Sequence, residues 1–178
     1  MKLSENRPLA CGVLALVIAG TLFIGGGNAL SRKAKAVDAA FNASSESISA
    51  ELKELADNAV VLNSIAANAR DANQTYVAAV TDAVDALRGA ESVSAKSDAS
   101  SALTAAVENL YSNVSNLKLS DKDAEDFKYR YRNYESALLR ISHDGYNDLA
   151  AAFNSEKSGF PAGLISAIRG IGGAELFG

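Results

Sequence analysis

Residues 9–24, LACGVLALVIAGTLFI, carry no charged side chain, and the weaker segment GGGNAL extends the neutral run to Leu30. Nine of those sixteen residues are Leu, Ile, Val or Phe. Each is worth roughly −0.3 to −0.6 kcal/mol on an insertion scale, so the gain is about −3 to −5 kcal/mol. As helix, the sixteen residues reach about 24 Å and the full run about 33 Å, against a hydrocarbon core of about 30 Å. The run predicts one glycine-broken transmembrane helix over residues 9–30, behind a short stub at residues 1–8. The same segment also reads as a signal peptide: Lys2 and Arg7 form a basic n-region, and Gly27, Asn28 and Ala29 offer small residues for cleavage before Leu30. Two bases precede the run, and Arg32, Lys33 and Lys35 follow it. This one-charge excess points the carboxyl-terminal body to the cytoplasm of a single-pass protein in the cell membrane.

The residue inventory removes most metal and triad chemistry. One Cys, one His and no Trp occur in 178 residues, so no internal disulfide framework and no thiolate zinc site is expected. Beyond residue 30 the chain keeps 15 of 17 bases and 20 of 21 acids. That acidic balance argues against a nucleic-acid partner.

The body carries helical periodicity throughout. Phe41, Ile48, Leu55, Leu62 and Ala69 recur every seven residues with Leu52, Ala59 and Ala66 between them, predicting one long helix over about residues 31–69. A second segment spaces Tyr76, Val80, Ala83, Val84 and Leu87, and a third Leu103, Val107, Leu110, Val114 and Leu117. The fourth runs through Phe127, Tyr131, Tyr134, Leu138 and Ile141 and continues with Leu149, Ala152 and Phe153. Four long amphipathic helices with narrow apolar seams predict an all-α antiparallel four-helix bundle with coiled-coil-like packing. Ser120 ahead of Asp121 and Asp123 suits an N-cap, and Ser97 is a candidate cap for the third helix. At the far end Gly159 suits a left-handed C′ position, Phe160 a fold-back contact and Pro161 a stop. Residues 162–178 read as an apolar, glycine-containing tail.

The fourth helix carries a recognisable pattern. In YNDLAAAFNSEKSGFP, residues 146–161, the triplet Tyr146, Asn147 and Asp148 is followed seven residues on by Phe153, Asn154 and Ser155, and then by Phe160 and Pro161. This resembles the signature of the bacterial LemA family, and the tail AGLISAIRGIGGAELF resembles the family's terminus. The resemblance implies a membrane protein with one span and a helical bundle over residues 31–161. The family's amino-terminal Arg-Arg-x-Asp-Leu-Ile-Pro-Asn-Leu run keeps only Asp57 and Leu62 in ELKELADNAVVLNSI.

Tyr146, Asn147, Asp148, Phe153, Asn154, Phe160 and Pro161 are the candidates for binding a partner or for locking the bundle. Tyr146 and Phe153 share a helix face as packing anchors do, which leaves Asn147, Asp148 and Asn154 for recognition. The run KYRYRNY, residues 128–134, interleaves bases and aromatics, but helical spacing puts Tyr131 and Tyr134 in the seam and the bases on a solvated face, with Asp126 four before Arg130. His143 beside Asp144 lacks the companions that a di-iron or zinc site needs, and no nucleophile elbow, phosphate loop or dinucleotide fingerprint occurs. The expectation is a non-enzymatic scaffold without metal or cofactor, docking another membrane protein and holding the bilayer through residues 9–30; a homo-oligomer is compatible with it. Two alternatives stay open: a secreted or periplasmic helical binding module released by cleavage, and a lipid-surface sensor using Lys128, Arg130 and the tail from Phe160 to Phe177.

Overall fold

The computed structural model describes residues 7–178. Helices account for its regular structure: α1 (Arg7–Asn42), α2 (Ile48–Ala67), α3 (Gln74–Gly89), α4 (Val93–Val114), α5 (Asp121–Ser142), α6 (Tyr146–Ser158) and α7 (Ala162–Arg169). No strand forms among the described residues. The chain divides into two compact units: one comprises the chain up to Asp38 with Asp148–Ala174, the other Ala39–Asn147 with Glu175–Gly178.

The second unit holds the helical core. Helix α2 packs on α3 and most extensively on α5, and α3 packs on α4. Short polar links join consecutive helices of this unit. Leu55, Ala59, Leu62 and Ala66 of α2, Val80 of α3, Leu103 of α4 and Ala137 of α5 are all fully enclosed. Aromatic residues close the α4–α5 contact: Tyr111 stacks on Tyr131 with centroids 3.9 Å apart and on Phe127 at 5.7 Å. The buried Tyr134 hydroxyl lies 3.2 Å from Thr104 Oγ1, and burial pushes its phenol well above the ordinary tyrosine range.

Helix starts follow side-chain caps. Ser47, Asn73, Ser92 and Ser120 each accept a backbone N–H two or three residues on, at the head of α2, α3, α4 and α5. Asp121 and Asp123 sit in the first turn of α5, where carboxylates oppose the positive helix end.

Six sequence expectations are corrected. The long helix over residues 31–69 is two helices, because the chain bends at residues 43–47 and Ser47 caps α2 afresh. The fourth helix is likewise broken at residues 143–145. Ser97 does not cap α4; it is buried within the helix, and Ser92 caps it. Gly159 is not left-handed; that conformation belongs to Gly170 at the end of α7, with φ +65°. The first part of the supposed tail is therefore the helix α7, and an irregular segment from Ile171 follows it. Phe160 makes no fold-back contact and is 91% exposed.

The first unit is built on α1. Its stretch from Ala10 to Asn42 is apolar and long enough to cross a bilayer, and in its most apolar 18-residue window only 6% is buried. Leu16 is 74% exposed, and Val13, Leu14, Val17, Ile18, Leu22 and Ile24 also face outward. Of the stub expected at residues 1–8, residues 1–6 lie outside the described residues, and Arg7 and Pro8 belong to α1. The helix runs unbroken through Gly20, Gly25, Gly26 and Gly27, although glycine inside a helix costs about 1 kcal/mol relative to alanine. Two of these glycines make room for α7. A Cβ at Gly26 would stand 3.1 Å from Ile165 Cδ1, and one at Gly27 would collide with the Arg169 side chain. Arg169 donates to Asn28 Oδ1 at 2.9 Å and lies over the Phe23 ring at 5.6 Å. Lys33 pairs with Glu156.

Candidate functional site

The amino-terminal end of α6 is set by a local break. His143 closes α5, its backbone N–H turned to Leu139 and Arg140 oxygens, and its Nδ1 lies 2.9 Å from the Leu139 carbonyl oxygen. Asp144 Oδ1 then accepts the Tyr146 N–H at 2.7 Å. An aspartate followed by glycine suits such a turn, since its short carboxylate can hold a backbone donor two residues on. The chain restarts as helix at Tyr146.

The two asparagines of the sequence pattern share one type of contact. In the core unit, Asn147 Oδ1 accepts the Phe177 N–H at 2.8 Å and Asn147 Nδ2 donates to the Phe177 carbonyl at 2.6 Å. In the unit built on α1, Asn154 does the same to Ala174, with both bonds at 2.8 Å. A carboxamide offers one donor and one acceptor side by side, which matches the N–H and C=O that one residue presents along an extended backbone.

Further contacts fix residues 175–178 within the core unit. Tyr146 OH donates to the Glu175 carbonyl at 2.7 Å. The Glu175 carboxylate accepts the Ser94 N–H at 3.0 Å, a first-turn amide of α4 with no intrahelical acceptor. The Phe177 ring lies 6.1 Å from that of Phe41, which Tyr146 meets edge-on at 5.1 Å. Lys96 places its ammonium 5.4 Å from the Phe41 centroid. A cavity of about 500 Å³ adjoins Phe177 and Gly178, with Ile48, Thr104, Leu138 and Asp144 among its walls.

The candidate residues therefore separate. Tyr146 and Phe153 are buried, while Asn147 and Asn154 hold the terminal segment. Asp148 is exposed in the first turn of α6. Phe160 and Pro161 are exposed in the link to α7 and take no part in the asparagine contacts. Glu175 and Phe177 were missed in sequence as site residues, and so was Ser94. The signal present was the seven-residue repeat of asparagine, whose acceptor and donor partners are backbone groups without a side-chain signature.

A second polar centre lies on the α2–α5 contact. Arg140 donates from Nε to Glu51 Oε2 and from Nη2 to Glu54 Oε2, both at 2.7 Å. The Glu51 side chain is 9% exposed. Hydrogen bonding to Glu51, then to Glu54, holds the guanidinium charged beyond its already high range. Among the described residues no group of three or more His, Cys, Asp or Glu side chains is placed to hold a metal ion. Arg130 lies over Tyr129 with 5.8 Å to the ring centroid, so its contact is with that ring on an otherwise solvated face.

Comparison with family models, with curated proteins and with solved structures gives no match to this chain.

Proposed function

We propose that the protein is a single-pass, LemA-like membrane protein whose antiparallel four-helix bundle, α2 to α5, docks another membrane protein, with no catalysis of its own. The observation that carries the anchor is the outward-facing apolar surface of α1: a band of Leu, Ile and Val side chains of this length has water or lipid as its neighbour, and lipid is favoured by several kcal/mol. Continuity supports an anchor over a cleaved leader. Cleavage before Leu30 would cut α1 in mid-helix and remove Gly26, Gly27 and Asn28, the seat of Ile165 and Arg169. The body is assigned to the cytoplasm on the charge balance around the span.

Docking is assigned to the surface around Asn147 and Asp148. Carbonate-washed membranes of cells making the untagged protein, analysed by intact mass, test the anchor. Retention at full mass is expected, and release with a new start near Leu30 would make the protein a secreted module instead. Crosslinking in sealed membranes tests docking: Asn147→Ala with Asp148→Ala should keep helicity and weaken the crosslink to the partner.

A lipid-surface role has its own observation. Leu164 and Ile168 are exposed one turn apart on α7, and Phe160 lies one further turn back in sequence. Salt-sensitive sedimentation of the span-deleted protein with anionic vesicles would favour that role.

A further inference from the structure

We propose that the Tyr146–Asn147 end of α6 is a peptide-binding site for an extended Glu-x-Phe segment of a partner protein, and that residues 175–178 are its resident, competing occupant. The proposal rests on the docking reading above and names the chemistry that this surface accepts.

The contacts divide into two kinds. Three bonds read backbone alone: Asn147 takes both the N–H and the C=O of Phe177, and Tyr146 OH takes the C=O of Glu175. These bonds would form with any extended chain laid in the same register. Identity is read at two alternate side chains. The Glu175 carboxylate meets the Ser94 amide in the first turn of α4, where an acceptor and a negative charge are both favoured. The Phe177 ring meets Phe41. Leu176 between them is 49% exposed. Extended backbone sends successive side chains to opposite faces, so a cradle on one side reads positions i and i+2 and ignores i+1. Backbone pairing for affinity with alternate side chains for specificity is a general mode of peptide capture.

Cis occupancy hides such a site. A segment of the same chain competes intramolecularly and is not diluted, so a free peptide binds the unaltered chain poorly. Weakening the resident segment without touching the cradle should expose it, and Phe177→Ala does this.

The test uses the full chain in detergent and the labelled peptide Gly-Gly-Ala-Glu-Leu-Phe-Gly, followed by fluorescence anisotropy. The Phe177→Ala chain should bind it about tenfold or more tightly than the unaltered chain, since each 1.4 kcal/mol taken from the competitor is a factor of ten. Adding Asn147→Asp removes the amide donor and places a carboxylate against a carbonyl oxygen. It should return binding to background with the helical circular dichroism unchanged. Replacing Glu by Gln, or Phe by Ala, in the peptide should weaken binding in the same assay. Equal binding to Phe177→Ala and to the Asn147→Asp double variant, or no binding to either, would overturn the proposal. Crosslinks between cradle and tail of two separately labelled full chains, formed as readily as those within one chain, would also overturn it by assigning the site to a second copy. Failure of the peptide with partner crosslinking still dependent on Asp148 would leave the docking reading standing.

Discussion

At the scale of single residues, the most demanding group is Glu51, a carboxylate withdrawn from water on the apolar contact between α2 and α5. Its charge is tolerated because Arg140 supplies hydrogen bonds along its rim, and Arg140 is itself half exposed and shared with Glu54. Taking away one partner of an enclosed pair leaves an uncompensated charge, which costs about 3 to 5 kcal/mol when both are deep. With Arg140 partly solvated, Arg140→Leu should lose about 2 kcal/mol in urea unfolding, at the lower edge of that behaviour. Glu54→Ala removes only a solvated contact and should change stability by less than about 0.5 kcal/mol. Equal losses from the two substitutions would show that enclosure of Glu51 has no energetic weight. Sequence alone does not reveal this pair, since Glu51 and Arg140 lie on helices whose facing surfaces are fixed only by packing. Nor does it reveal the Asn147 contact, whose partner atoms are the main chain of Phe177.

Helix α3 and the start of α5 are the most legible parts of the sequence, because polar links interrupt the apolar seam beside them. The two missed breaks have the opposite character. Phe41 and Ile48 stand seven residues apart, so the seam keeps its phase across the bend at residues 43–47, and only the local Ser-Ser-Glu-Ser run marks the stop. Likewise the apolar pattern persists from Ile141 to Leu149 across Asp144 and Gly145, where side-chain capture of the Tyr146 N–H decides the restart. Cap chemistry was visible at Ser120 but misplaced at α4, where Ser97 reads as the cap and Ser92, five residues earlier, supplies it. Removing the Ser47 hydroxyl by Ser47→Ala should cost about 1 kcal/mol, the usual worth of an N-cap, and should fray the start of α2 in amide exchange. The inter-element tie at Asp57 predicts an acid dependence. Lys53 holds Asp57 by hydrogen bonding, and Arg88 at the end of α3 adds to it, so the carboxyl titrates below its usual 3.8. A lowered folded value means that the unfolded chain binds the proton first as pH drops. The Asp57 contribution is therefore complete above about pH 4 to 5 and fades as pH falls through the folded value. Asp57→Asn should flatten the acid limb of a stability–pH curve and leave its alkaline limb unchanged; an unchanged acid limb would mean the tie is fully screened by solvent.

For the whole molecule, the division into two units has an energetic counterpart in what each one buries. The unit of residues 39–147 with 175–178 encloses an apolar seam on each of α2 to α5, with Leu55, Leu62, Val80, Leu103, Leu110 and Tyr134 among its buried side chains. The other unit leaves the face of α1 uncovered over its most apolar stretch. A unit with its own core should unfold as a unit in water, whereas one with an uncovered apolar helix needs lipid to complete it. Excised residues 39–147 should therefore stay helical and unfold cooperatively in urea, without detergent. They lack residues 175–178, so Tyr146 OH loses its part-buried acceptor and Phe41 loses the Phe177 ring, while the exposed partners at Asn147 and Ser94 exchange their bonds for water. One hydrogen bond and one aromatic contact are each worth about 1 kcal/mol. The excised segment should thus be about 2 kcal/mol less stable than the same unit in the full chain, measured through Tyr134 and its aromatic neighbours. A gradual, non-cooperative transition would show that α2 to α5 depend on the rest of the chain. Full stability without residues 175–178 would mean that the terminal segment contributes nothing to the core it touches, so that its bonds to Tyr146 and Asn147 only replace equivalent bonds to water.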